Sequence, residues 1–102
     1  MNVVFVGDIV GPRAAAYLAE YLPELRRERE VDLVVANAEN CTISGPHVWS
    51  GFGMTEEAVA HLLEAGVDVI TGGNHSWDGP EAGLVHAHPR VLRPLNVPEG
   101  TP

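Results

Sequence analysis

The sequence predicts a single α/β domain in which a parallel sheet is flanked by helices. Three short apolar runs rich in β-branched residues, 2–7, 31–40 and 67–74, are the predicted strands. Helical patterns separate the runs, and each run is continuously apolar rather than alternating, which is typical of parallel strands covered on both faces. A chain of 102 residues supports one core, so residues 1–102 are treated as one domain.

The first predicted strand ends at Gly7, and a helix is predicted after Pro12. Three- and four-residue spacing puts four apolar side chains on one face of this helix: Leu18, Tyr21, Leu22 and Leu25. Pro23 predicts either a kink in the helix or the start of a second short one, because proline cannot donate the backbone hydrogen bond.

The helix with the clearest boundaries is predicted in TEEAVAHLLEAG, residues 55–66. Thr55 is a suitable N-cap and Gly66 a suitable C-terminal stop. Met54 and Val59 have the spacing of a hydrophobic staple around that start.

A last short helix is predicted after Asp78. Asp78 and Glu81 have the spacing of a capping box, so we expect Asp78 to be a helix cap. The alternative, in which Asp78 is a partner of His75, is the minor one at this point.

Composition and charge narrow the class of function. A net charge of −8 argues against broad binding to nucleic-acid polymers, which requires many Lys and Arg contacts to phosphates. A small phosphate ester stays compatible with this charge, because bound metal ions can supply positive charge locally.

Several features predict a cytoplasmic protein. The start MNVVFVGD lacks a basic leader, and no apolar stretch has the length of a membrane span. The one cysteine, Cys41, fits a reducing compartment and is expected to be a small buried residue. An acidic domain with an exposed sheet edge is also a candidate for self-association into a homo-oligomer.

Polar side chains follow each of the three predicted strands. Asp8 ends the first, Glu39 and Asn40 end the second, and Asn74 and His75 end the third. In open parallel sheets, ligands bind beyond the carboxyl ends of the strands, so these side chains are expected to converge. Each alone has an ordinary explanation as a cap, a turn residue or a surface acid. Together they form a set of hard oxygen ligands with an imidazole, which suits divalent Mn, Fe, Mg or Zn.

The segments FVGDIVG, NAEN, GGNHSWD and RPLNVPEGTP resemble the calcineurin-like metallophosphoesterase superfamily, and more closely its bacterial branch of 2′,3′-cyclic-nucleotide 2′-phosphodiesterases. The resemblance implies the N-terminal half of that superfamily's α/β sandwich. It also implies a metal-dependent phosphodiesterase with two divalent ions, with Mn or Fe favoured and Mg or Zn as alternatives. Its substrate would be a small phosphodiester, with cyclic nucleotides favoured.

The resemblance also implies a role for each strand-end residue. Asp8 would ligate the first metal, and Glu39 would replace the usual bridging aspartate. Asn40 would ligate beside it, and Asn74 would ligate the second metal. His75 would stabilise or protonate the departing oxygen instead of binding metal.

This sequence departs from the family pattern in two places. Val10 occupies the position of a usual histidine, and the pattern's later half, with three more histidine ligands, lies beyond Pro102. We therefore expect this chain to be the N-terminal portion of a longer protein. A minor alternative is that HAHP, residues 86–89, makes up the missing ligands.

Other functions stay open from the sequence. An incomplete ligand set is compatible with a non-catalytic metal- or nucleotide-binding regulatory domain. A doubly wound dinucleotide-binding module is disfavoured, because GDIVGPRA lacks the required glycine spacing. The loop 41–53, with Trp49 and Phe52, is interpreted either as a cover for a nucleobase or as an ordinary insertion.

Overall fold

A computed structural model of the protein describes residues 1–42 and 52–102. In chain order its elements are β1 (Val3–Val6), α1 (Gly11–Glu28), β2 (Leu33–Asn37), α2 (Glu56–Ala65), β3 (Val69–Thr71) and α3 (Ala82–His86). The strands form a parallel sheet in the order β1-β2-β3. Helices α1 and α2 pack against each other. The predicted parallel α/β architecture is confirmed.

The two faces of this sheet are covered unequally. Val34, Ala36 and Ile70 share one face in the register of the strands and are fully buried. On the opposite face of the edge strand β1, Val3 is 51% and Phe5 65% exposed. Right-handed crossovers between strands that advance in one direction place both connecting helices on the same side. The expectation that both faces are covered is therefore wrong for β1 in the described residues.

Helix α1 runs without interruption through Pro23, so of the two predicted alternatives the start of a second helix there is wrong. Pro23 is exposed, while Leu22 before it is fully buried and Arg26 after it bonds to the neighbouring elements. These contacts hold the helix on both sides of the proline. The predicted apolar face is correct in part, since Tyr21 and Leu25 are exposed.

The predicted boundaries of α2 are confirmed. The Thr55 hydroxyl accepts a hydrogen bond of 3.1 Å from the Ala58 N–H, which satisfies one free donor of the first turn. Gly66 ends the helix with a φ of 115°, a left-handed conformation that glycine adopts without a Cβ clash. Met54 and Val59 are both buried at that start. Within the described ranges, none of the helices combines the length and apolar character needed to cross a bilayer.

One ion pair joins three elements at the amino ends of β2 and β3. The Arg26 guanidinium donates to the Asp68 carboxylate at 2.9 Å, and the Val34 N–H donates to the same oxygen at 2.8 Å. Burial alone would raise the pKa of Asp68. The hydrogen bond from Val34 and the guanidinium of Arg26 outweigh it, and the pKa lies below its usual 3.8.

We expect Asp68→Asn to lower the free energy of unfolding by about 1 kcal/mol at pH 7, a value reduced because the pair is partly exposed. Because the pKa of Asp68 is lower in the folded state, its ionised carboxylate stabilises the fold above about pH 3.8. This contribution is lost as the pH falls through the lower folded-state pKa. Urea unfolding at pH 7 and pH 3 measures the difference. Glu24→Gln, in an exposed pair with Arg27, is the control and should change little. An Asp68→Asn effect of equal size at both pH values would contradict this assignment.

Candidate functional site

Strand pairing continues past the ends of the regular strands and brings their polar residues to one edge. The Ile9 N–H donates to the Asn37 carbonyl at 3.0 Å, and the Ala38 N–H donates to the Thr71 carbonyl at 3.1 Å. The pairing thus reaches one residue past Asp8 on the first strand, one residue before Glu39 on the second, and three residues before Asn74 on the third. The predicted convergence at the carboxyl edge of the sheet is therefore present in the backbone.

Asp8 and Asn40 contact each other directly across the ends of β1 and β2. The Asn40 Nδ2 donates to the Asp8 Oδ1 at 2.9 Å. The N-cap of α1 is Val10, without a side-chain capping bond, so the alternative of Asp8 as a helix cap is wrong. The Gly11 N–H donates to the Asn40 carbonyl at 2.9 Å and fixes the backbone of this pair.

Glu39 joins the end of β2 to the turn that follows β3. Its Oε2 accepts a hydrogen bond of 2.7 Å from the backbone N–H of His75. The carboxylate occupies the space where a side chain at residue 73 would begin. An ideal Cβ on Gly73 would lie 2.6 Å from Oε2 and 2.7 Å from Cδ. Gly73 therefore leaves the space that the carboxylate occupies, and a side chain at this position would require the carboxylate to move.

The turn of residues 74–77 presents Asn74 and His75. Asn74 is exposed at its first position, next to His75. Ser76 is 1% exposed, and its hydroxyl accepts a hydrogen bond of 2.8 Å from the Gly73 N–H, which fixes the turn. Sequence reasoning missed Ser76, because nothing in a single serine distinguishes an internal turn bond from a surface hydroxyl.

The His75 ring is held by two residues. Its Nδ1 lies 2.6 Å from the Asp78 Oδ2. The Phe52 ring stacks on it, with 4.1 Å between centroids and 12° between planes. Sequence reasoning placed Phe52 in a loop that either covers a nucleobase or is an ordinary insertion, and it did not identify this contact.

Asp78 is not the cap of the last helix, so that prediction is wrong and the minor alternative is correct. Helix α3 begins after Glu81 without a side-chain cap bond. The turn brings the Asp78 N–H to the His75 carbonyl at 3.1 Å, which directs the carboxylate to the imidazole. The Glu81 carboxylate accepts from the Glu56 N–H at 2.7 Å and thereby caps α2 instead.

The donor atoms present fit a hard divalent cation. Asp8 and Glu39 supply carboxylates, and Asn40 and Asn74 supply carboxamides. The Asn40 Oδ1 is buried and has no hydrogen-bond partner among the described residues. Buried acceptors are usually paired, so this oxygen fits a role as a ligand. No group of three or more His, Cys, Asp or Glu in residues 1–42 and 52–102 is placed to hold a metal ion. The carboxamides are therefore needed for any ligand set here.

The histidines of HAHP do not join these residues. The His86 Nδ1 lies 2.8 Å from the Ala82 carbonyl, and the His88 Nδ1 accepts from the Arg90 N–H at 3.2 Å. Both line a hollow formed by residues 86–101, which includes none of the strand-end residues. The alternative that they complete the ligand set is wrong for the described structure.

Cys41 follows Asn40 and is 1% exposed. Burial raises the pKa of its thiol to about 11, which keeps it protonated at neutral pH. The prediction of a small buried residue is confirmed. Trp49 and His47, also in the loop, lie outside the described residues.

Comparisons with known proteins agree on one family. The family model described as YmdB-like protein matches residues 4–102. The chain is 36% identical over its full length to a 2′,3′-cyclic-nucleotide 2′-phosphodiesterase of Bacillus subtilis, of which it covers 36%. Among solved structures, it matches a hypothetical protein of Thermus thermophilus with a TM-score of 0.85 and 37% identity, covering 100% of this chain and 37% of the other.

A second solved structure, described as a novel phosphatase of Mycoplasma pneumoniae, matches with a TM-score of 0.78 and 33% identity. That match covers 94% of this chain and 32% of the other. The chain thus spans about a third of the length of the relatives it matches.

We expect Gly73→Ala to displace the Glu39 carboxylate, because the added methyl group would occupy the same space. The cost is expected to be about 1 kcal/mol of unfolding free energy, because the Glu39 side chain can move and the main loss is its hydrogen bond to His75. Amide hydrogen exchange at His75 should accelerate, because its N–H loses its acceptor. Gly83→Ala is the control, since a Cβ there meets nothing within 4 Å. Unchanged exchange at His75 in Gly73→Ala would contradict the position of the carboxylate.

Proposed function

This chain belongs to the family of YmdB-like proteins, among the calcineurin-like phosphoesterases, and we propose that it hydrolyses small phosphodiesters with the help of divalent metal ions. The observation that carries the proposal is the contact of polar residues from three strand ends, Asp8 with Asn40 and Glu39 with the backbone of His75. Because the Bacillus subtilis relative is a 2′,3′-cyclic-nucleotide 2′-phosphodiesterase, 2′,3′-cyclic nucleotides are the proposed substrates.

Asp8, Glu39, Asn40 and Asn74 would hold two divalent ions, Mn or Fe, with Mg or Zn as alternatives. Bound there, such ions supply Lewis acidity to the phosphoryl group and neutralise the negative charge that develops during hydrolysis. The chain's own contribution is to align these oxygens. The Asp8–Asn40 hydrogen bond and the backbone bond to the Asn40 carbonyl keep two of the four in place.

His75 is the proposed general acid. Asp78 engages its Nδ1, so Nε2 is the nitrogen left to give a proton to the departing alkoxide oxygen. The hydrogen bond from its backbone N–H to Glu39 holds the histidine beside the proposed ligands. A proton donor beside a cation site would assist the departure of the leaving oxygen while the cations stabilise the phosphoryl charge.

A second candidate function is a non-catalytic metal- or nucleotide-binding regulatory domain. The proposed ligand set contains only two carboxylates, and the described part of the chain has no group of three His, Cys, Asp or Glu placed to hold a metal ion. This small number of charged ligands is the observation that favours the second function. Metal binding without hydrolysis would select this function. A cytoplasmic location and self-association stay predictions from the sequence.

We expect Glu39→Gln to weaken Mn²⁺ binding by at least about tenfold, because it removes a ligand charge while keeping an acceptor for the His75 N–H. His75→Ala should bind Mn²⁺ normally and lower turnover by about 10²–10⁴-fold, the usual scale for loss of a general acid. Calorimetric titration with Mn²⁺ and hydrolysis of bis(p-nitrophenyl) phosphate and 2′,3′-cyclic AMP measure the two effects.

The control for Glu39→Gln is Glu64→Gln, which removes an exposed carboxylate on α2 and should change neither quantity. Normal Mn²⁺ affinity in Glu39→Gln would show that the ligand assignment is wrong. Metal binding by the unsubstituted chain without hydrolysis of either diester would favour the regulatory domain.

A further inference from the structure

We propose that Phe52 is the surface on which the nucleobase of the substrate stacks, and that it makes the site favour purine over pyrimidine nucleotides. The inference rests on the proposed function and deepens it. The strand-end oxygens and His75 are assigned to the phosphate alone, and they leave the recognition of the base without a residue.

The Phe52 ring lies directly beside the proposed site. It stacks on the His75 imidazole, with 4.1 Å between centroids and 12° between planes. The other stacked rings among residues 1–42 and 52–102 lie elsewhere: Tyr17 and Tyr21 pair with each other on α1, and Trp77 stacks on His86. In the part of the chain that the structure describes, Phe52 is therefore the aromatic ring that stacks on a residue of the site.

Phe52 has one face left for a ligand. Its side chain is half-buried, and His75 covers one of its two faces. The remaining solvent contact is therefore made by the opposite face and the ring edge. An aromatic ring prefers a flat partner in an offset stack, with centroids about 4.5–7 Å apart. Every nucleobase is such a partner, because every base has a π-face.

The backbone that carries this ring is held in place. The Gly53 N–H donates to the Glu39 carbonyl at 2.7 Å, and the Thr42 hydroxyl donates to the Gly53 carbonyl at 2.7 Å. Gly53 has a φ of 102°, and a Cβ there would lie 3.1 Å from the Gly79 nitrogen. A ring on a fixed backbone loses little freedom when a base stacks on it, so little of the stacking energy is spent on ordering the protein.

The position of Phe52 also suits the dimensions of a cyclic nucleotide. In a 2′,3′-cyclic nucleotide a single ribose joins the phosphate to the base. With the phosphate at the strand-end oxygens beside His75 and the base on the far face of Phe52, the thickness of one aromatic ring separates the two positions. One ribose can bridge that separation.

Stacking also suits the charge of the molecule. The chain carries a net charge of −8, and an uncharged base is not repelled by it, whereas the phosphate needs a cation. The contact with Phe52 would therefore add affinity that does not depend on metal. Its selectivity comes from the area of overlap, and a purine offers a larger face than a pyrimidine.

The direct test uses adenosine, which has a purine base but no phosphate and therefore needs no cation. In a nuclear magnetic resonance titration, we expect nuclear Overhauser effects between the Phe52 ring protons and adenine H2 or H8. Cytidine should bind more weakly, and ribose, which has no base, should not shift the Phe52 resonances. The absence of any contact between adenine and Phe52 at the highest soluble adenosine concentration would overturn the proposal.

Substitutions at residue 52 test the same contact. Phe52→Leu should weaken adenosine binding by at least about fivefold, the lower end of what one base stack contributes. Phe52→Tyr, which keeps the flat ring, should bind as the unsubstituted chain does. The matched control is Tyr17→Leu, which removes an aromatic ring that is 65% exposed on α1 and should change nothing. Equal adenosine affinities in Phe52→Leu and the unsubstituted chain would contradict the assignment.

A ratio of rates separates base recognition from support of the His75 ring. Because Phe52 contacts His75, Phe52→Leu is expected to slow the hydrolysis of every diester. The ratio of kcat/KM for 2′,3′-cyclic AMP to that for 2′,3′-cyclic CMP cancels this shared effect. It should exceed one in the unsubstituted chain and in Phe52→Tyr, and fall towards one in Phe52→Leu. A ratio that Phe52→Leu leaves unchanged would show that Phe52 only supports His75.

These measurements distinguish failure of the inference from failure of the proposed function. If the chain hydrolyses neither cyclic nucleotide, the proposed function fails, and the adenosine titration still decides whether Phe52 binds a base. Hydrolysis of both cyclic nucleotides without a contact between adenine and Phe52 would overturn the inference alone.

Discussion

The hydrogen bond from the His75 backbone to the Glu39 carboxylate is the contact on which the geometry of the site depends. It is charge-assisted and therefore stronger than a neutral bond. It forms only because Gly73 leaves room for the carboxylate. The carbonyl of Glu39 also anchors Gly53, and through it the ring that stacks on His75. A displacement of Glu39 would therefore move the backbone of His75 and the stacking partner of its ring together.

Electrostatics limit what such a site can bind. The chain has a net charge of −8, and the strand-end residues add carboxylates where an anionic diester would have to approach. Repulsion of this kind is overcome only by local positive charge, and bound divalent ions are the strongest source of it. The proposed hydrolysis therefore depends on cation binding at Asp8, Glu39, Asn40 and Asn74. The buried Asn40 Oδ1, which has no hydrogen-bond partner among the described residues, is the feature of the structure that most directly supports cation binding.

Local chemistry and one topological rule account for what the sequence predicts correctly. Thr55 and Gly66 end α2 as expected, because their capping preferences act within a few residues. The convergence of the strand ends follows from parallel pairing alone. The spacing of Asp78 suits both a helix cap and an imidazole partner, and only the start of α3 decides between them. The stacking of Phe52 on His75 and the exposed face at Phe5 depend on tertiary packing, which no local pattern contains.

The central claim is that the strand-end oxygens form one cation site. Paramagnetic broadening of backbone amide resonances by substoichiometric Mn²⁺ tests it most directly, because the effect falls off steeply with distance from the ion. The predicted result is selective broadening at Asp8, Glu39, Asn40 and Asn74 before any other residues. Broadening that begins instead at the acidic start of α2, at Glu56 and Glu57, would contradict the claim and make the strand-end cluster a structural feature without a cation.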